Sequence, residues 1–245
     1  MPSSDSVDPA EIARFEAMAR DWWDPHGKFR PLHMLNPVRL DYINVQMSVE
    51  FSRNLQDSRP FDGLDVLDVG CGGGLLTVPL ARLGANCTGI DPSRVNIEVA
   101  RTHARQHGLQ IDYRATTAEE LAATGERFDS LLCMEVVEHV TSPPEFIAVC
   151  ASLLRPQGVM ICSTLNRTAR SFALAIVGAE HVLRWLPRGT HDWQKFIKPS
   201  ELAKHLTAAG MRHVDSKGFV FNPLKRRWLL SERDLSVNYV TTSIR

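Results

Sequence analysis

Apolar positions along the chain follow two periods in turn, and the switches between them mark a succession of strands and helices. Short apolar runs at 65–70, 86–91, 111–115, 128–134 and 158–165 suit strands buried in a parallel sheet. Between and after them the spacing turns helical over 73–83, 93–107 and 199–209, the last two stopped by Gly108 and Gly210. Two more strands, at 212–222 and 236–242, suit an antiparallel hairpin that completes a seven-stranded sheet. The N-terminal stretch reads differently. Asp8 can cap a helix over 8–23, with proline at its first position, Glu11 three residues after the cap, and Ile12, Phe15, Met18, Ala19 and Trp22 on one stripe. Residues 22–39 then mix aromatics, prolines and polar tips before a helical stretch to about 55. The pattern predicts a helical lid or cap over 1–60, the alternative being plain packing, and one α/β domain over 61–245 with an inserted segment at 167–197.

The chemistry gathers where the first strand ends, in Asp65-Val-Leu-Asp-Val-Gly-Cys-Gly-Gly-Gly74. Glycines there let the strand turn sharply and leave no Cβ between backbone and ligand. A dinucleotide fingerprint fails, because its third small residue would fall on Leu75. Asp68 would repel a phosphate and attract an amine or cation. S-adenosylmethionine has no phosphate, and carries a sulfonium and an amino group. The stretch resembles motif I of the class I S-adenosylmethionine-dependent methyltransferases at Asp68, Gly70, Gly72 and Gly74, which implies a Rossmann-like fold and that cofactor. Asp91 ends the second strand about 20 residues on, where a carboxylate can accept bonds from a ribose diol; alternatively it caps the next helix. After the third strand, where the family packs adenine, Thr117 stands in a place often held by an acidic residue.

The fourth strand empties into Glu135-Val-Val-Glu-His139, which must face the same ligand if the sheet is open and parallel. Glu135, Glu138 and His139 are spaced i, i+3 and i+4, so a helical turn would put all three on one face. They can hold a divalent cation, or His139 can act as a general base oriented by Glu138. Residue types alone leave both open.

Composition removes several alternatives. At 245 residues and 44% hydrophobic, the chain can bury one sizeable core. Lys+Arg and Asp+Glu both number 28, so bulk charge does not suggest nucleic acid. Cys71, Cys87, Cys133, Cys150 and Cys162 form no C-x-x-C pair and read as small apolar residues of a reducing compartment. No apolar run approaches the ~18 residues of a membrane span, and Asp5 and Asp8 argue against a transit peptide, so a cytoplasmic protein is expected.

Further motifs extend the resemblance over nearly the whole chain. Phe15-Glu-x-Met-Ala-Arg-Asp-Trp-Trp-Asp24, Pro31-Leu-His-Met-Leu-Asn-Pro-Val-Arg-Leu-Asp-Tyr-Ile43, Cys133-Met-Glu-Val-Val-Glu-His-Val140, Ser163-Thr-Leu-Asn-Arg167 and Gly189-Thr-His-Asp-Trp-Gln-Lys-Phe-Ile-Lys-Pro199 resemble the ubiquinone-biosynthesis O-methyltransferases. The resemblance implies methylation of a polyprenylated catechol and of demethylubiquinol, with cofactor contacts at Arg39, Gly70, Gly72, Asp91 and Met134. It further implies Mg²⁺ at Glu135, Glu138 and His139, which raises the metal above the free base, and a complex with other quinone-pathway enzymes. An isoprenoid tail draws attention to 170–188, where Phe172, Leu174, Ile176, Val177, Trp185 and Leu186 mingle with Arg170, Arg184 and Arg188. That composition suits contact with anionic lipid at the inner face of the cell membrane, or else a cap or dimer contact.

Overall fold

The first strand, β1 (Asp65–Val69), is buried from Val66 onward because its side chains alternate between two apolar layers. Leu67 and Val69 enter one core and Val66 the other. The same alternation builds β2 (Asn86–Asp91), β3 (Asp112–Ala115), β4 (Phe128–Met134) and β5 (Leu154–Leu165), all parallel to β1. This computed structural model describes residues 8–174, 192–225 and 227–245.

Among the described residues the sheet has eight strands, one more than the sequence predicts, in the order β3-β2-β1-β4-β5-β8-β6-β7. β6 (Arg212–Asn222) and β8 (Asn238–Ile244) correspond to the two expected C-terminal strands, and β8 lies antiparallel between β5 and β6. The extra strand, β7 (Arg227–Ser231), pairs antiparallel with β6 at the edge. Its sequence, Arg-Trp-Leu-Leu-Ser, lacks the alternation that would announce it.

Helices cover both faces. α3 (Thr77–Arg82) and α4 (Arg94–Gln106) follow β1 and β2; α5 (Ala118–Ala123) and α6 (Pro143–Ser152) flank β4. Past β5 come the short turn α7 (Ala169–Ser171) and α8 (Pro199–Ala208). α5, α6 and α8 bury Leu121, Ile147 and Leu202 in one core.

The N-terminal region departs from its expected boundaries. α1 ends at Glu16, not 23 (Pro9–Glu16), and one 3₁₀ turn follows at Ala19–Asp21. α2 (Arg30–Glu50) begins inside the stretch read as irregular, with Pro31 in its first turn and Pro37 in its interior. Burial of Leu35, Val38, Tyr42, Ile43 and Met47 against the sheet offsets the hydrogen bond that Pro37 cannot make. Of the segment 170–188, residues 175–188 lie outside the described residues. Among those described, no helix is long and apolar enough to cross a membrane.

Candidate functional site

The carboxyl ends of β1, β2 and β4 open onto a cavity of about 250 Å³, walled on its far side by α1, Trp22, Phe29 and α2. The floor is the glycine turn. Gly70 and Gly72 take φ of +71° and +52°, and a Cβ on Gly72 would fall 2.3 Å from the Trp22 ring. No L side chain meets both conditions at low cost. The Trp22 indole thus lies flat on the loop, stacked on Phe29 at 3.8 Å, and its Nε1 donates to Asn96 Oδ1 at 2.9 Å. Trp23 Nε1 donates to the Gly73 carbonyl at 2.9 Å, and Asn36 Nδ2 to the Leu75 carbonyl at 2.8 Å.

Asp91 spans loop and helix. Its carboxylate accepts from Gly72 N at 3.0 Å, Ser93 N at 2.9 Å and Asn96 Nδ2 at 3.2 Å. The cap of α4 is Ser93, whose hydroxyl accepts from Asn96 N, so Asp91 is not spent on capping. A carboxylate offers about four acceptor positions, and three are used. Burial raises the Asp91 pKa, while these three hydrogen bonds oppose the rise.

Two buried charged side chains line the cavity. Asp68 is 2% exposed and its Oδ2 has no partner among the described residues; burial pushes its pKa up to about 7, against the pull of Arg39. Arg39 is 3% exposed and donates from Nη2 to Asn36 Oδ1 at 2.9 Å, while its Nε has no partner among the described residues. Burial lowers its pKa while Glu135 and Asp68 oppose that. Met134 ends β4 in the same lining.

The cluster after β4 is not the single face that its spacing suggests. Glu135 sits at φ +60°, outside the 3₁₀ turn Val137–His139, so the three side chains diverge. Glu135 Oε1 accepts from Ser163 Oγ at 2.7 Å, and the buried Glu138 accepts from Thr164 Oγ1 at 2.8 Å. His139 Nδ1 lies 3.3 Å from Glu11 Oε2, and its ring meets Phe15 edge-on. Among the described residues no three His, Cys, Asp or Glu side chains are arranged to hold a metal. The donor set as folded therefore does not fit a divalent cation. Glu138 turns to Thr164 on β5, and the carboxylate in direct contact with the His139 ring is Glu11, on α1. Burial alone would lower the His139 pKa, but the Glu11 hydrogen bond and the charges of Glu138, Glu11 and Glu135 raise it. Burial and the Glu135 charge raise that of Glu138.

Two further residues come from the structure. Thr117 is consumed as the cap of α5, bonding Glu120 in both directions. The acidic side chain that the segment after β3 brings to the cavity wall is instead Glu119, whose Oε2 is buried with no partner among the described residues. Position after a strand could have signalled Glu119; Glu11 sits 128 residues before its partner, with no local signal.

The chain matches a family described as a methyltransferase domain over residues 42–216. It is 61% identical over 243 residues to the ubiquinone biosynthesis O-methyltransferase of Dinoroseobacter shibae, covering 99% of this chain and 98% of that one. The Roseobacter denitrificans protein of the same name is 62% identical over 240 residues, covering 98% and 97%. Among solved structures, magnesium protoporphyrin IX methyltransferase from Synechocystis PCC 6803 with bound SAM superposes at a TM-score of 0.63 and 19% identity, covering 99% of this chain and 100% of that one. That likeness is one of fold.

Proposed function

The chain belongs to the ubiquinone biosynthesis O-methyltransferases and is an S-adenosylmethionine-dependent enzyme, and we propose that it methylates a phenolic hydroxyl of polyprenylated catechol and demethylubiquinol at both O-methylation steps. The observation that carries this reading is a pair of buried atoms in the lining of one small cavity, Arg39 Nε and Asp68 Oδ2, that have no partner among the described residues. A buried charge without partners is costly, so such groups complement a ligand of opposite charges. Arg39 would take the carboxylate of the cofactor's methionine part and Asp68 its ammonium. Asp91 has one acceptor position left for the ribose, and Glu119 is free to accept from the adenine amine. Gly70, Gly72 and Met134 complete the contact.

For the transfer, His139 takes the phenol proton while the phenolate oxygen attacks the S-methyl carbon in line. The oxygen–carbon bond forms, the carbon–sulfur bond breaks, and the sulfonium leaves as a neutral thioether. With Nδ1 held by Glu11, Nε2 is the nitrogen left to receive that proton. Glu138 supports the imidazolium through its charge. Mg²⁺ enters only through the family resemblance, and no step is routed through it, since Glu135, Glu138 and His139 as folded turn to three different partners, Ser163, Thr164 and Glu11.

The N-terminal segment, 1–60, serves as the lid. At about 250 Å³ the cavity is below the ~300 Å³ at which ligand pockets begin, and Trp22 fills the space over the glycine loop. Exposed Phe172 and Leu174 beside Arg170 support peripheral contact of 170–188 with membrane lipid. The decisive assay is transfer of labelled methyl to a short-tailed catechol. Transfer is expected, and full activity after chelation supports the His139 base; loss restored by Mg²⁺ overturns it.

A further inference from the structure

The turn between β6 and β7 reads Pro223-Leu-Lys-Arg-Arg-Trp228, and no part of the site uses it. Leu224 is 95% exposed, the most exposed of the large apolar side chains among the described residues, and Lys225 and Arg227 beside it are exposed too. Asn222 Oδ1 accepts from Lys225 N at 3.0 Å, which holds the turn in shape and Leu224 at its tip. Trp228 stands behind, half-buried against Phe221.

The register fixes where this tip points. Asn238 of β8 pairs with Leu165 at the carboxyl end of β5 and with Phe219 of β6. β6 therefore runs in the direction of β5 and continues three residues past that level, to Asn222. Three extended residues span about 10 Å. The tip thus projects beyond the same edge of the sheet onto which the cavity opens. Residues 169–174 leave β5 at that edge, carrying Phe172 (46% exposed) and Leu174 (52% exposed), and Arg170 is tied to Asp234 in the β7–β8 connection at 2.8 Å.

We propose that the β6–β7 turn is a docking element for an anionic lipid bilayer, with Leu224 entering the headgroup layer and Lys225 and Arg227 pairing with lipid phosphates. This rests on the reading of the substrate as an isoprenoid-tailed phenol, which resides in the bilayer. A lipid surface suits a convex tip: it accepts a protruding apolar side chain without a complementary groove, and flanking cations add attraction when the lipid is anionic. Together with Phe172 and Leu174 the turn gives the enzyme two footholds on one edge, so that a substrate tail can stay in lipid while its ring reaches the cavity.

The test is co-sedimentation of the full chain with vesicles of phosphatidylcholine alone or mixed with phosphatidylglycerol. On the mixed vesicles Lys225→Ala with Arg227→Ala should lose roughly 25-fold in partitioning, about fivefold per charge, and on neutral vesicles little. Leu224→Ser should lose binding on the mixed vesicles without altering transfer to a short-tailed catechol. Phe172→Ser with Leu174→Ser serves as the second arm. If only that arm loses lipid binding, or if light scattering shows that Leu224→Ser instead abolishes a dimer, the turn proposal is overturned. Failure of the function reading is separate: it appears as wild-type protein that transfers no methyl to the soluble catechol.

Discussion

The two ends of the parallel strands carry charge in opposite ways. At the amino ends lies the larger depression, about 1010 Å³, lined by Asp65, Arg101, Arg105, Asp112, Glu126 and Arg155. Its charges largely answer one another: Arg155 contacts Asp65 and Asp129 at 2.6 and 2.7 Å, and Arg114 bridges Asp112 and Glu126. At the carboxyl ends the cavity is a quarter of that size, yet Arg39 Nε, Asp68 Oδ2 and Glu119 Oε2 in its lining have no partners among the described residues. Volume is therefore a poor guide in this molecule. Solvated pairs at the open end need nothing further, whereas buried unpaired atoms at the closed end are costly until a ligand completes them.

The sharpest way to test that contrast is at His139, where the substrate's reacting proton would be received. His139→Ala is expected to lower the rate of methyl transfer by roughly 10²–10⁴-fold while cofactor affinity holds. Calorimetry and a transfer assay on the same sample separate the two; an unchanged rate would remove the base. Next in size is Asp91→Ala, expected to weaken cofactor binding by about 1–3 kcal/mol. A melting curve should accompany it, because Gly72 N, Ser93 N and Asn96 Nδ2 lose their acceptor too.

A smaller effect is predicted from Asp68, which burial holds at a pKa of about 7. Binding an ammonium demands the carboxylate, so below that value a proton must first be displaced. Cofactor affinity should fall by up to tenfold per pH unit between pH 6.5 and pH 5, a range in which an α-amino group stays charged. Asp68→Asn should bind more weakly and flatten that slope; a slope that persists in the variant would assign it to another group. The smallest effect belongs to the amino end. Arg155→Ala should cost under about 1 kcal/mol in urea denaturation and leave transfer unaltered, since its ion pairs are half-exposed and screened by solvent. A large loss there would erase the distinction between the two ends.

What could be read from sequence follows the range of the interactions involved. β1 to β4 and the positions of Gly70, Gly72 and Asp91 are set by local apolar runs and turn residues, and they stand close to where the pattern predicts them. The place of Asp68 at the strand end is also legible, and it is buried in the lining of the cavity. The cluster at 135–139 was legible as a group facing the cavity, but not in its geometry. The i, i+3, i+4 rule assumes an α-turn, and Glu135 at φ +60° breaks it. The pattern reads Glu11 as a capping-box residue and puts Trp22 on the stripe of a helix that in fact ends at Glu16; their contacts with His139 and the glycine loop depend on how the N-terminal segment folds back on the sheet. β7 has no local signal for a similar reason, since it exists through its pairing with β6 and contact with α2.

The position of β8 also constrains the order in which the molecule can be assembled. β8 separates β5 from β6 in the sheet although it follows both in sequence. During synthesis β6 and β7 emerge as a hairpin with no edge to join, and β5 waits with its outer backbone groups unpaired. Their docking depends on residues 238–244, whose partners in β5 lie some 80 positions earlier. Such distant pairing makes the closing step slow relative to the local βα units. A nascent chain halted before Asn238 would expose a sticky strand edge next to an unanchored hairpin, the kind of species that chaperones intercept.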